Sequence, residues 1–234
     1  MNLFYQQDLI IGISTLSAEE SRHCVKALRL KKGDTIFLTD GKGHLFKARI
    51  VDNDIKCCTI DIYEQITDYP SSQYRSHIAV APTKNSDRLE WFIEKAVELG
   101  VTNITLLQCE HSQRHTVNVA RMERLMIAAL KQSLRIQLPH FTVNCSIDDF
   151  FASIGDKYTQ KYIAYCGKLE QPVPLLEQVV DKQSNRVLMI GPEGDFSPAE
   201  VQKAIQMGFI PISLGLFRLR TETAALKAAV LLAE

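Results

Sequence analysis

The sequence predicts an α/β protein with a mainly parallel sheet, preceded by a small β-barrel that carries one helix. Short strand-like segments dominate the chain up to Asp68, and strands then alternate with helices to the C-terminus. Such alternation is typical of a parallel sheet covered on both faces. A polar, turn-rich stretch, Thr67–Gln73, separates the two patterns. We therefore predict two domains, residues 1–70 and residues 74–234.

The N-terminal domain is predicted from strand, turn and cap signals. Ser17-Ala18-Glu19-Glu20 is a capping box that begins a helix. Thr35–Thr39 is a predicted strand, and Asp40-Gly41 predicts a two-residue hairpin that returns through Leu45–Val51. A further strand is expected over Cys58–Tyr63.

Periodicity predicts the elements of the C-terminal domain. The predicted strands are His77–Ala81, Ile104–Leu107, Tyr162–Tyr165, Val187–Ile190 and Ile212–Leu214. The predicted helices are Asp87–Leu99, Val119–Leu134, Ser197–Met207 and Thr221 to the C-terminus. Gly100 is expected to end the first of these helices.

Composition limits the class of protein. The chain has 234 residues, of which 46% are hydrophobic, and its apolar runs are shorter than the roughly 20 residues that span a bilayer. The first residues lack the charged and apolar regions of a signal peptide. Six cysteines without a CxxC motif do not form a secreted disulfide framework. We expect a cytoplasmic protein with no membrane association.

A metal site is not expected. The nearest approach to a ligand cluster is Cys109 with His111 and His115, and the sequence offers no fourth ligand nearby. We interpret these residues as an ordinary thiol and two histidines in a loop.

The charges balance overall but not locally. The 27 basic residues equal the 27 acidic ones, which excludes a polybasic protein. Two stretches, residues 22–32 and residues 111–140, are nevertheless strongly basic. Each can contact a polyanion or simply form a solvated helix face, and charge alone does not distinguish the two.

Two segments near the C-terminus can form a ligand site. In the first, the apolar strand Val187–Ile190 runs into Gly191-Pro192-Glu193-Gly194, and a capped helix follows. Ligands bind at the carboxyl ends of strands in open α/β sheets, although a plain tight turn also explains this loop. In the second segment, a strand ends at Gly215, and Arg218 and Arg220 precede a helix whose first turn holds Thr221, a potential cap, and Glu222.

The motifs together resemble the RsmE family of small-subunit ribosomal RNA uridine-N3 methyltransferases, in the SPOUT superfamily. The matching segments, in order, are His23–Asp34, Asp40–Gly43, Lys84–Arg88, Glu94–Val101, Gln132–Ser133 with Arg135 and Pro139, Gly191–Gly194, Leu214–Gly215 and Leu219–Ala224. The chain departs from the family pattern at Asp195, where a second glycine is common, at Lys131 and Leu134, and at Phe217-Arg218. The last departure leaves open whether Arg218 or Arg220 contacts the ligand.

The resemblance implies a PUA-like RNA-binding barrel and a SPOUT-type domain with a deep trefoil knot. It also implies a homodimer that binds S-adenosylmethionine. The residues implied to bind this cofactor are Ile190, Gly191, Pro192, Glu193, Gly194, Leu214, Gly215, Leu219, Arg220, Thr221, Thr223 and Ala224. The implied substrate is a uridine of 16S ribosomal RNA, in the assembled small subunit and not in DNA.

The chemistry assigns roles within this site. Uridine N3 must lose its proton, or its anion must be stabilised, before it accepts a methyl group. We predict that Arg220 stabilises that anion and that Glu222 positions Arg220 or assists proton removal, although Glu222 also suits a capping position. We predict phosphate contacts from Arg22, Lys26, Arg29, Arg114 and Arg135.

Three other functions compete with this one. An RNA-binding module without catalysis would use the same basic surface, but the intact glycine loop and Leu219–Ala224 motif count against it. A different nucleotide-binding enzyme is disfavoured, because the sequence contains no P-loop, Rossmann fingerprint or serine elbow. A related methyltransferase acting on another RNA is the strongest rival.

Overall fold

The computed structural model describes residues 1–112, 116–167 and 173–233, and these form two compact units. The first unit contains Met1–Ser71 together with Ile127–Leu138. The second contains Ser72–Met126 and the described residues from Pro139 onward. In the described residues, no helix combines the length and the apolar character needed to cross a bilayer.

The first unit is built on a five-stranded sheet in the order β1-β3-β4-β5-β2. Its strands are β1 (Leu3–Tyr5), β2 (Gly12–Thr15), β3 (Thr35–Thr39), β4 (Leu45–Asp52) and β5 (Thr59–Ile66). All neighbours are antiparallel except β1 and β3. The inward side chains, among them Phe4, Ile36, Leu38 and Ile60, form one apolar core. The three strands predicted for this unit are confirmed, whereas the short strands β1 and β2 were not predicted.

The only part of the predicted capping box that forms at α1 (Ala18–Arg22) is the serine cap. The Ser17 hydroxyl accepts a hydrogen bond from the Glu20 amide at 3.2 Å. The Glu20 carboxylate instead accepts a hydrogen bond from Lys131 at 2.6 Å. A π-helical turn, His23–Ala27, continues directly from α1. Such turns are rare and often mark functional surfaces.

The connection between β3 and β4 is longer than predicted. It spans residues 40–44, so the Asp40-Gly41 pair does not form a two-residue hairpin. The Asp40 carboxylate organises the loop, since it accepts hydrogen bonds from the amides of Lys42 and His44 and contacts the His44 ring. The hydrogen bond with His44 is the leading cause that holds the pKa of Asp40 below its usual value, against the opposing effect of burial.

Residues 127–138 pack with the first unit, although the sequence analysis assigned them to the second domain. The Thr39 hydroxyl donates to the carbonyl of Ile136 at 2.9 Å, and the Tyr69 hydroxyl donates to that of Leu134 at 2.7 Å. The contacts join segments far apart in the chain, which a local pattern cannot indicate.

The second unit is an all-parallel six-stranded sheet in the order β11-β9-β10-β6-β7-β8. The strands are β6 (Ser76–Val80), β7 (Asn103–Gln108), β8 (His140–Ser146), β9 (Gln160–Ala164), β10 (Arg186–Ile190) and β11 (Ile210–Ile212). The predicted parallel α/β architecture is confirmed. The last strand ends two residues earlier than predicted, and β8 was missed.

Helices accompany these strands along the chain. They are α2 (Ser86–Leu99), α3 (Val119–Ser133), α4 (Ile147–Ile154), α5 (Leu176–Val179), α6 (Pro198–Gln206) and α7 (Thr221–Leu232). Gly100 ends α2 with a left-handed φ of 84°, as predicted. The helices α4 and α5 were not predicted.

The core of the second unit contains a buried histidine. His77 is 6% exposed, and its ring nitrogens are hydrogen-bonded to Tyr158 at 3.0 Å and Thr105 at 2.9 Å. Burial, with a smaller contribution from the charge of His140, lowers the pKa of His77 from 6.5 to about 3. The native imidazole is therefore neutral at physiological pH.

This histidine is expected to make the protein acid-sensitive. Below pH 6.5, His77 binds a proton in the unfolded chain but stays neutral in the native state. The free energy of unfolding is therefore highest above pH 6.5 and decreases as the pH falls toward 3. From pH 7 to pH 5, the free energy of unfolding should drop by about 2 kcal/mol more in the wild type than in His77→Gln. Urea denaturation at both pH values measures this, with His23→Gln as the exposed control. An equal loss in wild type and His77→Gln would contradict the assignment.

Candidate functional site

The two candidate loops lie at the carboxyl edge of the parallel sheet. One loop follows β10 over residues 191–197, and the other follows β11 over residues 213–220. Only β9 lies between β10 and β11 in the sheet. The Thr221 hydroxyl donates to the carbonyl of Gly191 at 3.4 Å, which joins the start of α7 to the first loop. The fold thus brings together two segments that the sequence analysis singled out separately.

The first loop passes into α6 through the predicted cap. The Ser197 hydroxyl accepts from the Glu200 amide at 3.3 Å, and the Glu200 carboxylate accepts from the Ser197 amide at 2.8 Å. Pro198 occupies the first helical turn. The capping box is confirmed, and it fixes the direction in which the loop leaves β10.

The contacts of Asp195 explain how an aspartate can stand where the family commonly has a glycine. Its backbone φ is 63°, a left-handed conformation that favours glycine. The carboxylate accepts hydrogen bonds from the amides of Phe196 at 2.9 Å and Cys166 at 3.0 Å. These bonds offset the backbone cost and tie the loop after β9 to the loop after β10.

Glycines are required at this edge for two reasons. A Cβ on Gly191 would lie 3.1 Å from Phe196, and one on Gly194 would lie 3.1 Å from the Cβ of His111, so packing within the chain already restricts both. Gly215 has a φ of 136°, which side chains rarely adopt, and its nearest neighbour to a Cβ would be Lys227 Nζ at 3.9 Å. Space beside Gly215 is therefore open.

The start of α7 differs from the prediction. Arg220, not Thr221, is the N-cap residue, and no side chain caps this end. Thr221 instead uses its hydroxyl on Gly191. The N–H groups of the first helical turn point toward the loop edge without a side-chain acceptor, which suits a ligand bound through the backbone.

Glu222 has a partner other than the predicted one. Its carboxylate is buried and lies 3.6 Å from Nε of Arg88 on α2. Arg220 and Arg218 are exposed in the loop. Glu222 thus positions Arg88 in this structure, and the sequence analysis missed Arg88 as a site residue although it lies in a recognised motif.

The structure distributes the predicted cofactor residues between buried and accessible positions. The buried ones are Ile190, Gly191, Pro192 and Thr221. The half-buried ones are Leu214, Gly215 and Ala224, and the exposed ones are Glu193, Gly194, Leu219, Arg220 and Thr223. The set fits a small ligand, because buried backbone forms the base of the site and exposed residues surround it.

Two of the predicted phosphate contacts lie together. Arg22 and Lys26 line a cavity of about 430 Å³ in the first unit, together with His23 and Lys131. Lys131 is held there by its ion pair with the buried Glu20. The sequence analysis missed His23 and Lys131 as members of this basic cavity, because Lys131 is over a hundred positions away in the chain.

The remaining predicted phosphate contacts do not line this cavity. Arg29 is exposed with a left-handed φ of 55°, and Arg135 is half-buried. Arg114 lies outside the described residues.

The cysteine and histidines near residue 110 make protein contacts in the described part of the chain. Burial raises the pKa of the Cys109 thiol to about 12, and His111 Nδ1 lies 3.0 Å from the carbonyl of Asp195. His115 lies outside the described residues. Among those described, no group of three or more potential ligands is placed to hold a metal ion.

Two family models match most of the chain, and together they define the class of protein. The family model for the RNA methyltransferase domain matches residues 70–233, and that for the RNA methyltransferase PUA domain matches residues 16–61. The chain belongs to this family of RNA methyltransferases, and its relatives are ribosomal RNA small subunit methyltransferases E.

One such relative is the enzyme of that name from Rickettsia conorii. It is 30% identical, and the match covers 91% of this chain and 86% of the relative. A probable rRNA methyltransferase from Porphyromonas gingivalis is 39% identical with a TM-score of 0.90, covering 98% of this chain and 95% of the other. The Neisseria gonorrhoeae ribosomal RNA small subunit methyltransferase E, solved with S-adenosylmethionine, is 28% identical with a TM-score of 0.83 over 98% and 95%.

Proposed function

We propose that this chain transfers a methyl group from S-adenosylmethionine to N3 of a uridine in 16S ribosomal RNA. The observation that carries the proposal is the joining of the two strand-end loops by Thr221 and Gly191 at the carboxyl edge of the sheet. The Neisseria relative, similar over nearly the whole chain, supports the choice of cofactor.

The loops would hold the cofactor mainly through backbone groups. Residues 190–194, 214–215 and 219–224 surround the edge, and the uncapped first turn of α7 supplies N–H donors. Gly215 leaves room for close approach of a flat ring. When bound, S-adenosylmethionine supplies a methyl group already activated by a sulfonium, so the protein needs mainly to align the acceptor.

Arg220 stabilises the acceptor in this proposal. Uridine N3 releases its proton to water and gains the methyl group, and the donor is left as S-adenosylhomocysteine. A cation near the base favours the N3 anion that forms when the proton leaves. Arg220 is exposed next to the first turn of α7, where it can reach a base brought to the loops. Glu222 positions the Arg88 side chain in this proposal, because the two side chains form an ion pair at the start of α7.

The first unit docks the RNA. Its basic cavity contains Arg22, Lys26 and Lys131, and contacts to phosphates position RNA without reading its sequence. The substrate we propose is the assembled small ribosomal subunit, which places the enzyme in the cytoplasm.

A second copy of the chain completes the enzyme in this proposal. Leu216 is 95% exposed and Phe217 is 85% exposed, directly beside the candidate site, and Trp91 and Val230 are exposed on α2 and α7. Large apolar side chains left exposed beside a binding site are typical of an interface between subunits. We propose a homodimer in which this loop contacts the partner near the cofactor.

The order of the strands supports a deep trefoil knot in the second unit. From β10 the chain passes β9 to reach β11 at the sheet edge, and it then returns so that α7 packs against β6 and β10. We infer that the returning segment crosses the connections made before it. We propose that these crossings form the knot and hold the two loops together.

Removing charge from the basic cavity is expected to weaken RNA binding. Arg22→Ala combined with Lys26→Ala should lower affinity for the small subunit at least tenfold and reduce the slope of log affinity against log salt by about 2. The matched control, Arg49→Ala with Lys56→Ala, removes two exposed charges from the same unit outside the cavity. Equal salt slopes in the two double variants would contradict docking at this cavity.

The experiment that tests the function combines binding and turnover. Calorimetric titration with S-adenosylmethionine should show binding, and small subunits lacking the modification should gain one N3-methyluridine, detected by mass spectrometry of the digested RNA. Cofactor binding without methylation of those subunits would favour a methyltransferase acting on another RNA. RNA binding without either activity would favour the non-catalytic RNA-binding module.

A further inference from the structure

The second unit contains a cleft that the cofactor loops do not use. It has a volume of about 450 Å³ and lies between the segment after β6 and the N-terminal ends of α2 and α3. Its polar lining includes Lys84, Asp87, Glu90, Asn118 and Arg121, together with three hydroxyl-bearing residues. The volume falls in the range of sites that bind small molecules.

The cleft also has an apolar base. Leu89 is 4% exposed and Met122 is 2% exposed, and both line the cleft together with Pro82 and Val117. A flat ring packs well against such side chains, while its edge remains available to the polar groups. This combination is suited to a nucleobase.

The polar groups of the cleft are held in fixed positions. Arg121 forms a two-pronged ion pair with Glu90, with Nε 2.7 Å from Oε1 and Nη2 2.8 Å from Oε2. The Asn118 side-chain oxygen accepts from the Arg121 amide at 3.0 Å, which leaves the Asn118 NH₂ group as a donor. Pre-positioned donors and acceptors select one hydrogen-bonding edge over another.

The cleft adjoins the cofactor loop. The strands β6 and β10 are neighbours, and the Ala81 amide donates to the carbonyl of Ile190 at 3.0 Å just past both strand ends. The next residues also meet, because the Lys84 amide lies 3.4 Å from Oε1 of Glu193. Lys84 therefore belongs both to the cleft wall and to the contact with the glycine loop.

The charges of the cleft argue for a base and against a phosphate. Lys84 and Arg121 balance Asp87 and Glu90, so the cleft has no excess positive charge to attract a phosphate group, whereas a neutral base meets both donors and acceptors. The edge of uracil presents two carbonyl acceptors on either side of the N3 donor. Lys84 and Asn118 offer donors for the two carbonyls, which leaves N3 between them available to accept the methyl group.

We propose that this cleft receives the unstacked acceptor uridine, with its ring over Met122 and Leu89 and its edge toward Lys84. The proposal rests on the proposed function and adds the residues that recognise the base. Enzymes that act on a base inside folded RNA take it out of its stack into such a pocket.

Filling the cleft tests the proposal. Val117→Trp places an indole in the cleft and should lower kcat/KM for the unmodified small subunit at least 30-fold, while affinity for S-adenosylmethionine stays within about twofold. The matched control is Val119→Trp, at an exposed valine that does not line the cleft, and it should behave as the wild type. Normal turnover by Val117→Trp would overturn the proposal.

A second variant and a direct probe guard against misfolding as the explanation. Lys84 is exposed, so Lys84→Met should fold normally and raise KM for the subunit about tenfold, with rescue by Lys84→Arg. Uridine, titrated into the protein, should shift the NMR signals of residues around Val117 and Met122 in the wild type but not in Val117→Trp. Shifts confined to other residues would overturn the proposal.

Failure of this inference is distinguishable from failure of the proposed function. If the wild type methylates the subunit and Val117→Trp does so equally well, only the cleft assignment is wrong. If the wild type does not methylate the subunit, the proposed function is wrong, and the titration with uridine still decides whether the cleft binds the nucleoside.

Discussion

Replacement of Arg220 by alanine is expected to reduce kcat for methyl transfer at least about 100-fold, with little change in cofactor affinity. The magnitude follows from the loss of one pre-positioned group that stabilises a developing charge. Arg220 is exposed in the loop before α7, so its removal creates no cavity, and the melting temperature should be unchanged. Single-turnover assays on small subunits and calorimetry with S-adenosylmethionine measure the two effects separately.

Arg218→Ala is the matched control for Arg220→Ala. Both arginines are exposed in the same loop, and Arg218 is further from the start of α7. Arg218→Ala should retain most of the activity if Arg220 is the residue that faces the base. A large loss in Arg218→Ala with normal turnover in Arg220→Ala would transfer the role to Arg218.

The pH dependence of the Arg220→Ala variant separates catalysis from packing. A cation beside uridine N3 lowers the pH at which the anion forms, so its removal should move the rate profile to higher pH. A purely structural residue would lower the rate equally at every pH. An unshifted profile would therefore exclude Arg220 from stabilising the anion.

The fold class was predictable because the elements that define it have clear local patterns. Buried parallel strands read as short apolar runs, and α2 and α6 carry both a helical stripe and recognisable end signals. The strand β8 was not predicted, since His140–Ser146 is mostly half-exposed and contains polar residues throughout. The helix α4 follows it directly, with a Ser146 cap that was overlooked.

The division between the units was less predictable for a physical reason. Helix α3 has one continuous stripe, yet its last residues and the segment to Leu138 pack with the first unit. The hydrogen bonds of Thr39 and Tyr69 that hold this segment involve backbone carbonyls, which carry no sequence signature. The ion pair of Glu20 with Lys131 likewise depends on tertiary contact alone.

The candidate site was predictable in its loops but not in its ion pairs. Two sequence patterns indicate loops at the carboxyl edge of the sheet. One is a strand followed by Gly-Pro-Glu-Gly, and the other is a strand that ends before an arginine-containing loop. The pairing of Glu222 with Arg88 depends on the packing of α7 against α2, which local spacing does not determine. Similarly, Thr221 was predicted as a cap because it stands at the expected start of the helix. Its hydrogen bond to Gly191 joins residues thirty positions apart, which local sequence does not indicate.

Replacement of Arg186 by methionine is expected to cost about 4 kcal/mol of unfolding free energy, the largest stability effect of a single change considered. Arg186 begins β10, is 2% exposed, and donates through Nη1 to the carbonyls of Lys182 at 2.6 Å and Ser184 at 2.8 Å. Its Nε also donates to the carbonyl of Leu232 at the end of α7. Methionine fills similar volume but leaves all three carbonyls without these donors, the one on Leu232 in a buried position.

The same substitution should weaken the cofactor site from a distance. Arg186 fixes the end of α7, while the start of that helix carries Thr221 and contacts the glycine loop, so a loosened helix lowers affinity for S-adenosylmethionine. Urea denaturation and calorimetry measure the two losses, and Lys203→Ala is the control, because its ion pair with Asp148 is exposed and worth less than about 1 kcal/mol. If Arg186→Met were as stable as Lys203→Ala, the buried guanidinium would not be what anchors the last helix. If stability fell while cofactor affinity did not, the two ends of α7 would be independent, and the pocket would depend on its loops alone.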